Sequence, residues 1–441
     1  MAQFFRANKK STTPQVQTVT VSSLDHQGRG VARQDGKVWF IDGALPGEVV
    51  KAQVTQNKAK LVEAKTVKVM TASAERAKPF CGDYEACGGC ELQHQDLAAQ
   101  VAAKQLAVAA LFQKFTGLSQ LPWQPAITSA GQHYRRSARL ACLFDKDSGR
   151  LKLGYRGKGS KKIVEVQQCD VLAPAFATHI GLLREVLNRH PALSSISHVQ
   201  LSEADNGSYV VLRHIKAISS ELKASVNAAL APCNWHLLWQ GPSETVKVSD
   251  DLLPRYHLSE FDLTLSYQLD NFVQVNAAVN QHMLQQAMAW LALTASDKVL
   301  DLFCGIGNFS LVAAKQANSV IGVEGVASSV AMATQNAHTN QISNVTFHCS
   351  DLTANLVEAQ WFSKDSNVLI LDPSRVGAEE ILAQLPLKQF ERILYVSCDP
   401  VTLARDSKLI VDQRFELVKV GLMNMFPHTG HIESMALFQR R

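Results

Sequence analysis

The chain has 441 residues, of which 46% are hydrophobic and 19% are charged, and its formal net charge is +5. Because a single hydrophobic core stops growing at about 250 residues, this length predicts two or three domains. No apolar run approaches the roughly 18 residues that a membrane-spanning helix needs, and no secretion leader is recognisable, so we expect no membrane association and a cytoplasmic location. The nine cysteines are an odd number, which argues against a disulfide framework.

The positive charge of the chain is unevenly distributed. Residues 1–90 hold 13 Lys and Arg against 8 Asp and Glu, whereas the remaining residues hold 31 of each. A second basic stretch runs from Arg135 to Lys162, and Tyr134 and Tyr155 accompany its arginines and lysines. Basic residues interleaved with aromatic ones are typical of surfaces that contact phosphates and stack on bases. Either stretch taken alone is equally typical of a solvated charged surface.

Residues 12–70 are predicted to form the first domain, a small β-barrel. From Val16 to Val69, short alternating apolar runs are broken by turn residues, which predicts five short strands. The segments G-R-G-V-A at Gly28–Ala32 and L-P-G-E at Leu45–Glu48 resemble those of TRAM domains, an OB-like type of RNA-binding barrel. Any other small β-barrel is the alternative.

Residues 75–265 are predicted to form a central domain of mixed helices and strands. It opens with the sequence CGDYEACGGCELQH, whose three cysteines are close enough to ligate one metal centre. An Ala- and Leu-rich helix is predicted from Leu97 to Phe115, and a further cysteine, Cys169, lies in the segment VQQCDVL. Zinc and iron–sulfur clusters both accept four thiolates, so the spacing of the cysteines does not distinguish them.

Residues 266–441 are predicted to form the third domain, a doubly wound α/β fold. From Asn271 onwards, apolar runs that end in a small or acidic residue alternate with helical segments. That alternation is typical of a parallel sheet whose ligands bind at the carboxyl ends of the strands.

The first strands of this domain carry a pattern typical of a nucleotide-like cofactor. The run VLDLFCGIGNFS places a glycine turn, Gly305 and Gly307, between a buried strand and a helix, which lets the backbone approach a ligand closely. Glu324 ends the next strand, where a carboxylate can accept both ribose hydroxyls, and Asp351 ends the third, on the adenine side. The alternative is that these acids cap the following helices. The G-x-G-N-F-S form resembles motif I of class I S-adenosylmethionine methyltransferases.

Four short motifs make the resemblance more specific. The chain has FVQVN at Phe272, DPSR at Asp372, SCDPVT at Ser397 and HIES at His431. These motifs resemble those of the RNA uracil-5-methyltransferases, and the match extends over essentially the whole chain. The resemblance implies a class I, Rossmann-like methyltransferase fold for the third domain, S-adenosyl-L-methionine as methyl donor, and 5-methyluridine as the product in RNA.

The chemistry of that family needs a nucleophile and a base. Carbon 5 of uracil attacks a sulfonium methyl group only after a thiolate has added to carbon 6, and the carbon 5 proton must then leave. By resemblance, Cys398 is the nucleophile and Glu433 is the general base. The resemblance also implies that Asp372 lies between uracil and cofactor, and that the other cofactor-binding residues are Gln274, Phe303, Asn308, Glu324 and Asp351.

One position departs from the family pattern. The family has Asn after the nucleophilic cysteine, whereas this chain has Asp399. A carboxylate beside Cys398 is expected to raise the pKa of the thiol and to oppose thiolate formation. The effect would be small if Asp399 pointed into solvent or paired with Arg375 or Arg405.

The family resemblance also bears on the cysteines and on the RNA. Members that act on large-subunit ribosomal RNA and carry a TRAM barrel hold a 4Fe-4S cluster, which implies that its ligands here are Cys81, Cys87, Cys90 and Cys169. The same features favour 23S ribosomal RNA as the partner of a monomeric enzyme that methylates one specific uridine. The alternatives are the same chemistry on another RNA such as transfer RNA, and a non-catalytic RNA-binding assembly factor.

Overall fold

A computed structural model describes residues 15–242, 246–353 and 356–441. Residues 12–14 of the predicted first domain lie outside the described residues. Within these ranges, no helix is both long enough and apolar enough to cross a lipid bilayer. The strands of the described ranges form four sheets, which divide the chain into an N-terminal, a central and a C-terminal part.

The N-terminal part is a six-stranded sheet around its own core. Its strands are β1 (Val16–Thr20), β2 (Ser23–Leu24), β3 (Gly30–Gln34), β4 (Lys37–Asp42), β5 (Val49–Asn57) and β6 (Leu61–Thr71). They follow the order β1-β5-β6-β4-β3-β2, in which β4 and β6 are parallel and the other pairs antiparallel. Trp39 and Ile41 are buried in its core. The sequence predicts five strands, and the sixth, β2, has too few residues for an alternating pattern to reveal it.

The L-P-G-E segment contains a buried carboxylate that connects the N-terminal part to the chain that follows it. Glu48 is fully buried and accepts hydrogen bonds from the backbone N–H groups of Leu45 at 2.9 Å and Ser73 at 3.2 Å. Arg76 Nη2 donates to the same carboxylate at 2.7 Å. The ion pair therefore ties the barrel to the segment that leads into the cysteine-rich loop.

The central part is built on a second six-stranded sheet. Its elements are α1 (Leu97–Thr116), β7 (Ser137–Asp145), β8 (Arg150–Arg156), β9 (Ile163–Val164), α2 (Pro174–Ala177), α3 (Ile180–Leu187), β10 (Ile196–Ala204), β11 (Gly207–His214), α4 (Ser220–Leu230) and β12 (Trp235–Gln240). The strand order is β12-β11-β10-β7-β8-β9, with β11 and β12 parallel and the other pairs antiparallel. The predicted helix α1 begins after the N-cap residue Asp96 and ends at Gly117, which adopts a φ of 78°.

The C-terminal part is a seven-stranded sheet flanked by helices. After a hairpin of β13 (Arg255–Leu258) and β14 (Leu263–Ser266), its elements are α5 (Ala277–Leu291), β15 (Lys298–Leu302), α6 (Ser310–Ala314), β16 (Ser319–Glu324), α7 (Ala327–Thr339), β17 (Val345–Cys349), β18 (Val368–Leu371), α8 (Glu379–Gln384), β19 (Arg392–Ser397), α9 (Pro400–Asp412), β20 (Phe415–Met423) and β21 (Glu433–Arg440). The strand order is β17-β16-β15-β18-β19-β21-β20. Its first five strands are parallel, as predicted, and β21 is antiparallel to both β19 and β20.

Helix α1 packs on the C-terminal sheet rather than on the central one. Its residues Val108 and Phe112 are fully buried in the same core as Leu403 of α9 and Phe415 of β20. The helix thereby brings the chain that follows the cysteine-rich loop against the C-terminal part.

The strand order brings the functional motifs to one edge of the C-terminal sheet. The strands β15, β16, β18 and β19 are parallel, so their carboxyl ends meet at this edge. Because β21 is antiparallel to β19, its first residue, Glu433, lies at the same edge. The last pair in that ladder is Ser397 with Ser434, so Cys398 and Glu433 are the next residues opposite each other.

Candidate active site

One cysteine and two carboxyl side chains lie together where these strands end. Cys398 follows β19, Asp372 follows β18, and Glu433 begins β21. Glu433 is buried, at 8% exposure, whereas Cys398 and Asp372 are half-buried. A thiol and two carboxyl groups in one partly enclosed site provide a nucleophile and a base side by side.

Burial favours the protonated form of each of these three groups in the free protein. It raises the pKa of Cys398 to about 12, helped by the negative charges of Glu433 and Asp372. Burial also raises the pKa of Asp372 to about 7, and burial together with Asp372 raises that of Glu433 to about 8. Arg375 acts in the opposite direction on both Cys398 and Glu433. Burial and the mutual repulsion of the three groups therefore both oppose their ionisation.

Cys398 opens onto a cleft of about 400 Å³ between the barrel and the C-terminal part. Residues of both parts form its walls, namely His26, Gln27, Arg29, Arg375 and His431. The barrel contacts the chain that leads into β21 so closely that a Cβ on Gly430 would lie 2.3 Å from the carbonyl oxygen of Gln27. The barrel therefore forms part of the wall of the candidate active site.

Asp399, the departure from the family pattern, caps helix α9. Its Oδ1 accepts hydrogen bonds from the backbone N–H groups of Val401 at 2.9 Å and Thr402 at 3.2 Å. Its carboxylate therefore faces the helix instead of pointing into solvent. It does not pair with Arg405, which forms ion pairs with Glu379 and Asp406. The two N–H groups and the positive end of the helix dipole offset its charge.

Four of the predicted cofactor-binding residues line one small cavity, namely Gln274, Phe303, Asn308 and Asp372. The cavity lies beside the glycine turn, where Gly305 and Gly307 adopt φ values of 54° and 91°. A Cβ on Gly305 would meet no atom within 4 Å. Since positive φ favours glycine, the turn leaves its backbone open to a ligand.

Residues outside the predicted set hold this cavity in shape. Tyr256 Oη donates a hydrogen bond of 2.9 Å to Asn308 Oδ1, and Arg136 Nε donates one of 2.7 Å to the carbonyl oxygen of Gln274. Phe303 adopts a φ of 66°, a rare conformation for a bulky residue that the surrounding structure must enforce. Tyr256 and Arg136 carry no motif that would identify them from sequence.

The other two predicted cofactor-binding residues are placed differently. Glu324 accepts hydrogen bonds from the backbone N–H groups of Gly305 at 3.2 Å and Val326 at 2.9 Å. The first ties Glu324 to the glycine turn, and the second is made with Val326, the N-cap residue of α7. Since no side chain caps α7, Glu324 does not cap this helix as the alternative predicts. Asp351 is exposed, and its Oδ1 accepts hydrogen bonds from the backbone and hydroxyl groups of Thr353.

The four predicted cluster ligands, Cys81, Cys87, Cys90 and Cys169, line one cavity of about 360 Å³. All four are free thiols, and burial raises the pKa of each. Among the described residues, no group of three or more His, Cys, Asp or Glu side chains is arranged to hold a metal ion. The structure thus brings the four cysteines together and does not show a metal site there.

Two contributions to the active site were missed in the sequence. One is the barrel loop His26–Arg29, which no chemical motif marks. The other is Lys104 of α1, which is buried and interacts electrostatically with Glu433. The sequence carries a signal for the second, because Lys104 stands three residues after Val101 and four before Val108 on the buried face of the helix.

Comparisons with known proteins agree with this arrangement. The family described as tRNA (Uracil-5-)-methyltransferase matches residues 96–441, and the TRAM domain family matches residues 10–67. A 23S rRNA (uracil(1939)-C(5))-methyltransferase RlmD from Pseudoalteromonas translucida (strain TAC 125) is 55% identical over 100% of both chains. The enzyme of the same name from Aeromonas salmonicida (strain A449) is 42% identical over 100% of both chains.

A solved structure shares the fold. The tRNA (uracil-54, C5)-methyltransferase of Pyrococcus abyssi, in complex with S-adenosyl-L-homocysteine, matches with a TM-score of 0.71 and 20% identity, over 96% of this chain and 100% of that chain. The predicted TRAM barrel and Rossmann-like methyltransferase fold are thereby confirmed. Since a family match covers most of the chain and the relatives match all of it, the chain belongs to the tRNA (uracil-5-)-methyltransferase family.

Proposed function

We propose that this chain transfers a methyl group from S-adenosyl-L-methionine to carbon 5 of one uridine in 23S ribosomal RNA, forming 5-methyluridine. The observation that carries the proposal is the pairing of β19 with β21, which sets Cys398 opposite Glu433 at the open edge of the sheet. The names of the full-length relatives support 23S ribosomal RNA as the substrate. We also propose that the enzyme acts as a monomer in the cytoplasm.

In the proposed reaction, Cys398 adds to carbon 6 of the uracil. The thiolate is the reactive form, and it is disfavoured in the free protein because burial, Glu433 and Asp372 raise the pKa of the thiol to about 12. Arg375, in the wall of the same cleft, lowers this pKa and so favours the thiolate. The thiol gives its proton to solvent in the cleft, the Sγ–C6 bond forms, and the π electrons of the C5–C6 double bond move onto carbon 5, which becomes the nucleophile.

S-Adenosyl-L-methionine supplies an electrophilic methyl group on its sulfonium centre. We propose that Asp372 lies between it and the uracil, and that the other residues that hold it are Gln274, Phe303, Asn308, Glu324 and Asp351. The cavity beside the open glycine turn, which three of these residues and Asp372 line, supports the proposal that the cofactor binds there. The proposal is also supported by the carboxylate of Glu324, which is fixed against that turn and can accept ribose hydroxyls.

Glu433 is proposed to remove the proton from carbon 5 once that carbon has been methylated. The electron pair of the C–H bond re-forms the C5–C6 double bond, and the Sγ–C6 bond breaks to release Cys398. Burial and Asp372 raise the pKa of Glu433 to about 8, so its carboxylate, once ionised, binds a proton strongly. A pKa close to the working pH is what a general base requires.

The position of Cys398 constrains how the RNA binds. The side chain is half-buried at a cleft walled by the barrel, so a uracil reaches it only if the nucleotide leaves its base stack. Arg29 and Arg375 line the cleft and are suited to the phosphates on either side of such a nucleotide. The TRAM match of the barrel supports this role.

We further propose that Cys81, Cys87, Cys90 and Cys169 hold a 4Fe-4S cluster. Around one zinc ion all four sulfurs lie about 2.3 Å from the same atom, whereas a four-iron cluster gives each thiolate an iron of its own. The four thiols, two buried and two half-buried, line one cavity of about 360 Å³ and supply the four thiolates that such a cluster needs. Its role would be structural, since the residues after Cys90 donate backbone hydrogen bonds to His428, close to Glu433.

Iron and sulfide analysis of the protein purified without oxygen tests the cluster. We expect iron and acid-labile sulfide in equal amounts in the wild type and a loss of both in Cys90→Ser. Cys142→Ser is the matched control, because burial raises the pKa of Cys142 as it does for the four cysteines, but its side chain does not line the cavity. Stoichiometric zinc, or an equal loss of iron from Cys142→Ser, would overturn the proposal.

Nucleoside analysis of RNA methylated in vitro tests the function. Wild type, Cys398→Ala and Glu433→Gln are incubated with labelled S-adenosyl-L-methionine and either unmodified 23S ribosomal RNA or unmodified transfer RNA. We expect 5-methyluridine in 23S ribosomal RNA from the wild type, and none from Cys398→Ala. If 5-methyluridine formed in transfer RNA alone, transfer RNA and not 23S ribosomal RNA would be the substrate. If it formed in neither RNA, the protein would be better explained as a non-catalytic RNA-binding factor.

A further inference from the structure

A buried lysine that the proposed reaction does not use stands behind the general base. Lys104 on α1 is 5% exposed, and burial lowers its pKa to about 7. Its Nζ donates hydrogen bonds to Asn424 Oδ1 at 2.9 Å and to the carbonyl oxygen of Phe426 at 3.3 Å. A lysine is rarely buried unless a partner holds it there.

The hydrogen bonds of Lys104 fall on the loop that leads into Glu433. This loop, residues 424–432, connects β20 to β21, and Asn424 follows Met423, the cross-strand partner of Glu433. Gln100, one turn before Lys104, also holds the loop, since its Oε1 accepts a hydrogen bond of 2.8 Å from the backbone N–H of His428. Helix α1 therefore fixes the loop through two polar side chains of different charge.

The charged groups around Glu433 come from several elements. Asp372 and Arg375, after β18, act on its pKa electrostatically, and so does Lys104 of α1, to a smaller extent than Arg375. Cys398, after β19, lies opposite it in the sheet. Of the two cations, Arg375 is exposed to solvent and Lys104 is buried, so the charge of Lys104 is screened much less.

Two carboxyl groups and two histidines interact electrostatically with Lys104. Glu91 and Glu433 attract its ammonium group. His428 and His431, both on the loop, have pKa values that burial lowers first and the charge of Lys104 lowers further. Burial therefore favours the neutral form of both histidines, with Arg375 acting before Lys104 on His431.

We infer that Lys104 is a positioning residue for the proposed general base: its hydrogen bonds to Asn424 and Phe426 hold the loop that leads into Glu433, and its buried ammonium group lies within electrostatic range of the Glu433 carboxyl group. The inference rests on the proposed function. A base must be ionised before it can accept a proton, and an adjacent ammonium group favours the ionised form. Lys104 thus counters part of the effect of burial and of Asp372, which favour the protonated form.

The pH profile of methylation separates this role from simple support of the loop. In Lys104→Gln and Lys104→Met the charge is lost, and the first keeps a polar end while the second does not. We expect Lys104→Gln to methylate about tenfold more slowly than the wild type at pH 6.5 and within about twofold of it at pH 9. Lys104→Met should show the same dependence on pH with a further decrease that is equal at every pH, because it also loses the hydrogen bonds to the loop. Gln100→Met weakens the hold on the loop without changing charge, and we expect it to slow methylation by the same factor at every pH.

RNA with 5-fluorouridine at the target position isolates the step that Lys104 serves. Fluorine cannot leave carbon 5 as a proton does, so the covalent adduct with Cys398 accumulates without help from Glu433. We expect both Lys104 variants to form this adduct at the wild-type rate. Adduct formation that slows as much as turnover, or a pH profile parallel to that of the wild type, would overturn the inference.

A double-mutant cycle measured by urea unfolding tests the inference without an activity assay. Urea midpoints at pH 7.5 are measured for the wild type, Lys104→Gln, Glu433→Gln and the double variant. We expect Lys104→Gln to lower the midpoint slightly more in the wild type than in the Glu433→Gln background, because the fraction of molecules in which both groups are charged, which is greatest between their pKa values of about 7 and about 8, is absent from the latter. Equal decreases would overturn the inference even if the wild type proved inactive, and a wild type without methylation would refute the proposed function instead.

Discussion

Replacing Glu433 with Gln is expected to stabilise the protein at neutral and alkaline pH. The substitution keeps the shape of the side chain and removes its charge. Burial, with help from Asp372, raises the pKa of this carboxyl from 4.5 to about 8 in the folded protein. Below pH 4.5 the group is protonated in both the folded and the unfolded state, and its ionisation does not affect stability. Between pH 4.5 and about pH 8, Glu433 is ionised in the unfolded state but still protonated in the folded state, so the free energy of unfolding falls as the pH rises.

The size of the effect follows from the same two pKa values. At about 1.4 kcal/mol per pH unit, the interval from 4.5 to about 8 sets an upper bound of about 5 kcal/mol. Local relaxation and water entry reduce such penalties, so we expect Glu433→Gln to gain about 2 kcal/mol above pH 8 and nothing below pH 4.5. Above pH 8 the difference stays constant, because the carboxyl is then ionised in both states.

Guanidinium unfolding from pH 4.5 to 9 measures this difference. The control is Glu416→Gln on β20, whose carboxylate is 57% exposed and pairs with Arg441 at the surface. We expect its free energy of unfolding to follow that of the wild type at every pH. If Glu433→Gln were no more stable than the wild type at pH 9, or if its advantage were the same at pH 5, the carboxyl would not be held protonated by burial.

Four further substitutions, at three positions, test other contacts of the structure. Asp399→Asn is expected to leave stability unchanged because Asn also caps helices, whereas Asp399→Ala loses about 1 kcal/mol in thermal unfolding. Arg76→Met leaves the carboxylate of Glu48 buried without its cation and is expected to cost about 3 kcal/mol in urea unfolding. Arg375→Met removes a positive charge that lowers the pKa of Cys398, so adduct formation on 5-fluorouridine RNA should slow at pH 7 and recover as the pH rises.

Much of the fold could be predicted because local patterns determine it. The helix predicted for Leu97–Phe115 ends one residue later, since Asp96 and Gly117 provide its cap and its stop. The alternation of strand and helix after Asn271 predicts the parallel strands. The antiparallel pair β20 and β21 was not predicted, because its partner in the sheet, β19, is chosen by packing and not by any residue near it in sequence.

The candidate site was predictable to the extent that its residues lie in motifs. Cys398, Asp372 and Glu433 each follow or begin a strand, so the order of the strands brings them together. The barrel loop and Lys104 could not be assigned in this way, since they reach the site through tertiary packing from distant parts of the chain. A lysine on the apolar face of a predicted helix was the one local conflict that pointed to such a contact.

The nucleophile and the base of this site make opposing demands on its charge. A thiolate at Cys398 and a carboxylate at Glu433 repel each other, and each raises the pKa of its neighbour when ionised. The order of the proposed reaction removes the conflict, because the thiolate is consumed in the Sγ–C6 bond before the carboxylate has to accept a proton. While the sulfur is bound to carbon it carries no charge, and the electrostatic cost of ionising Glu433 is then at its lowest. The covalent adduct therefore activates the uracil and, by the same bond, prepares the base for the step that follows.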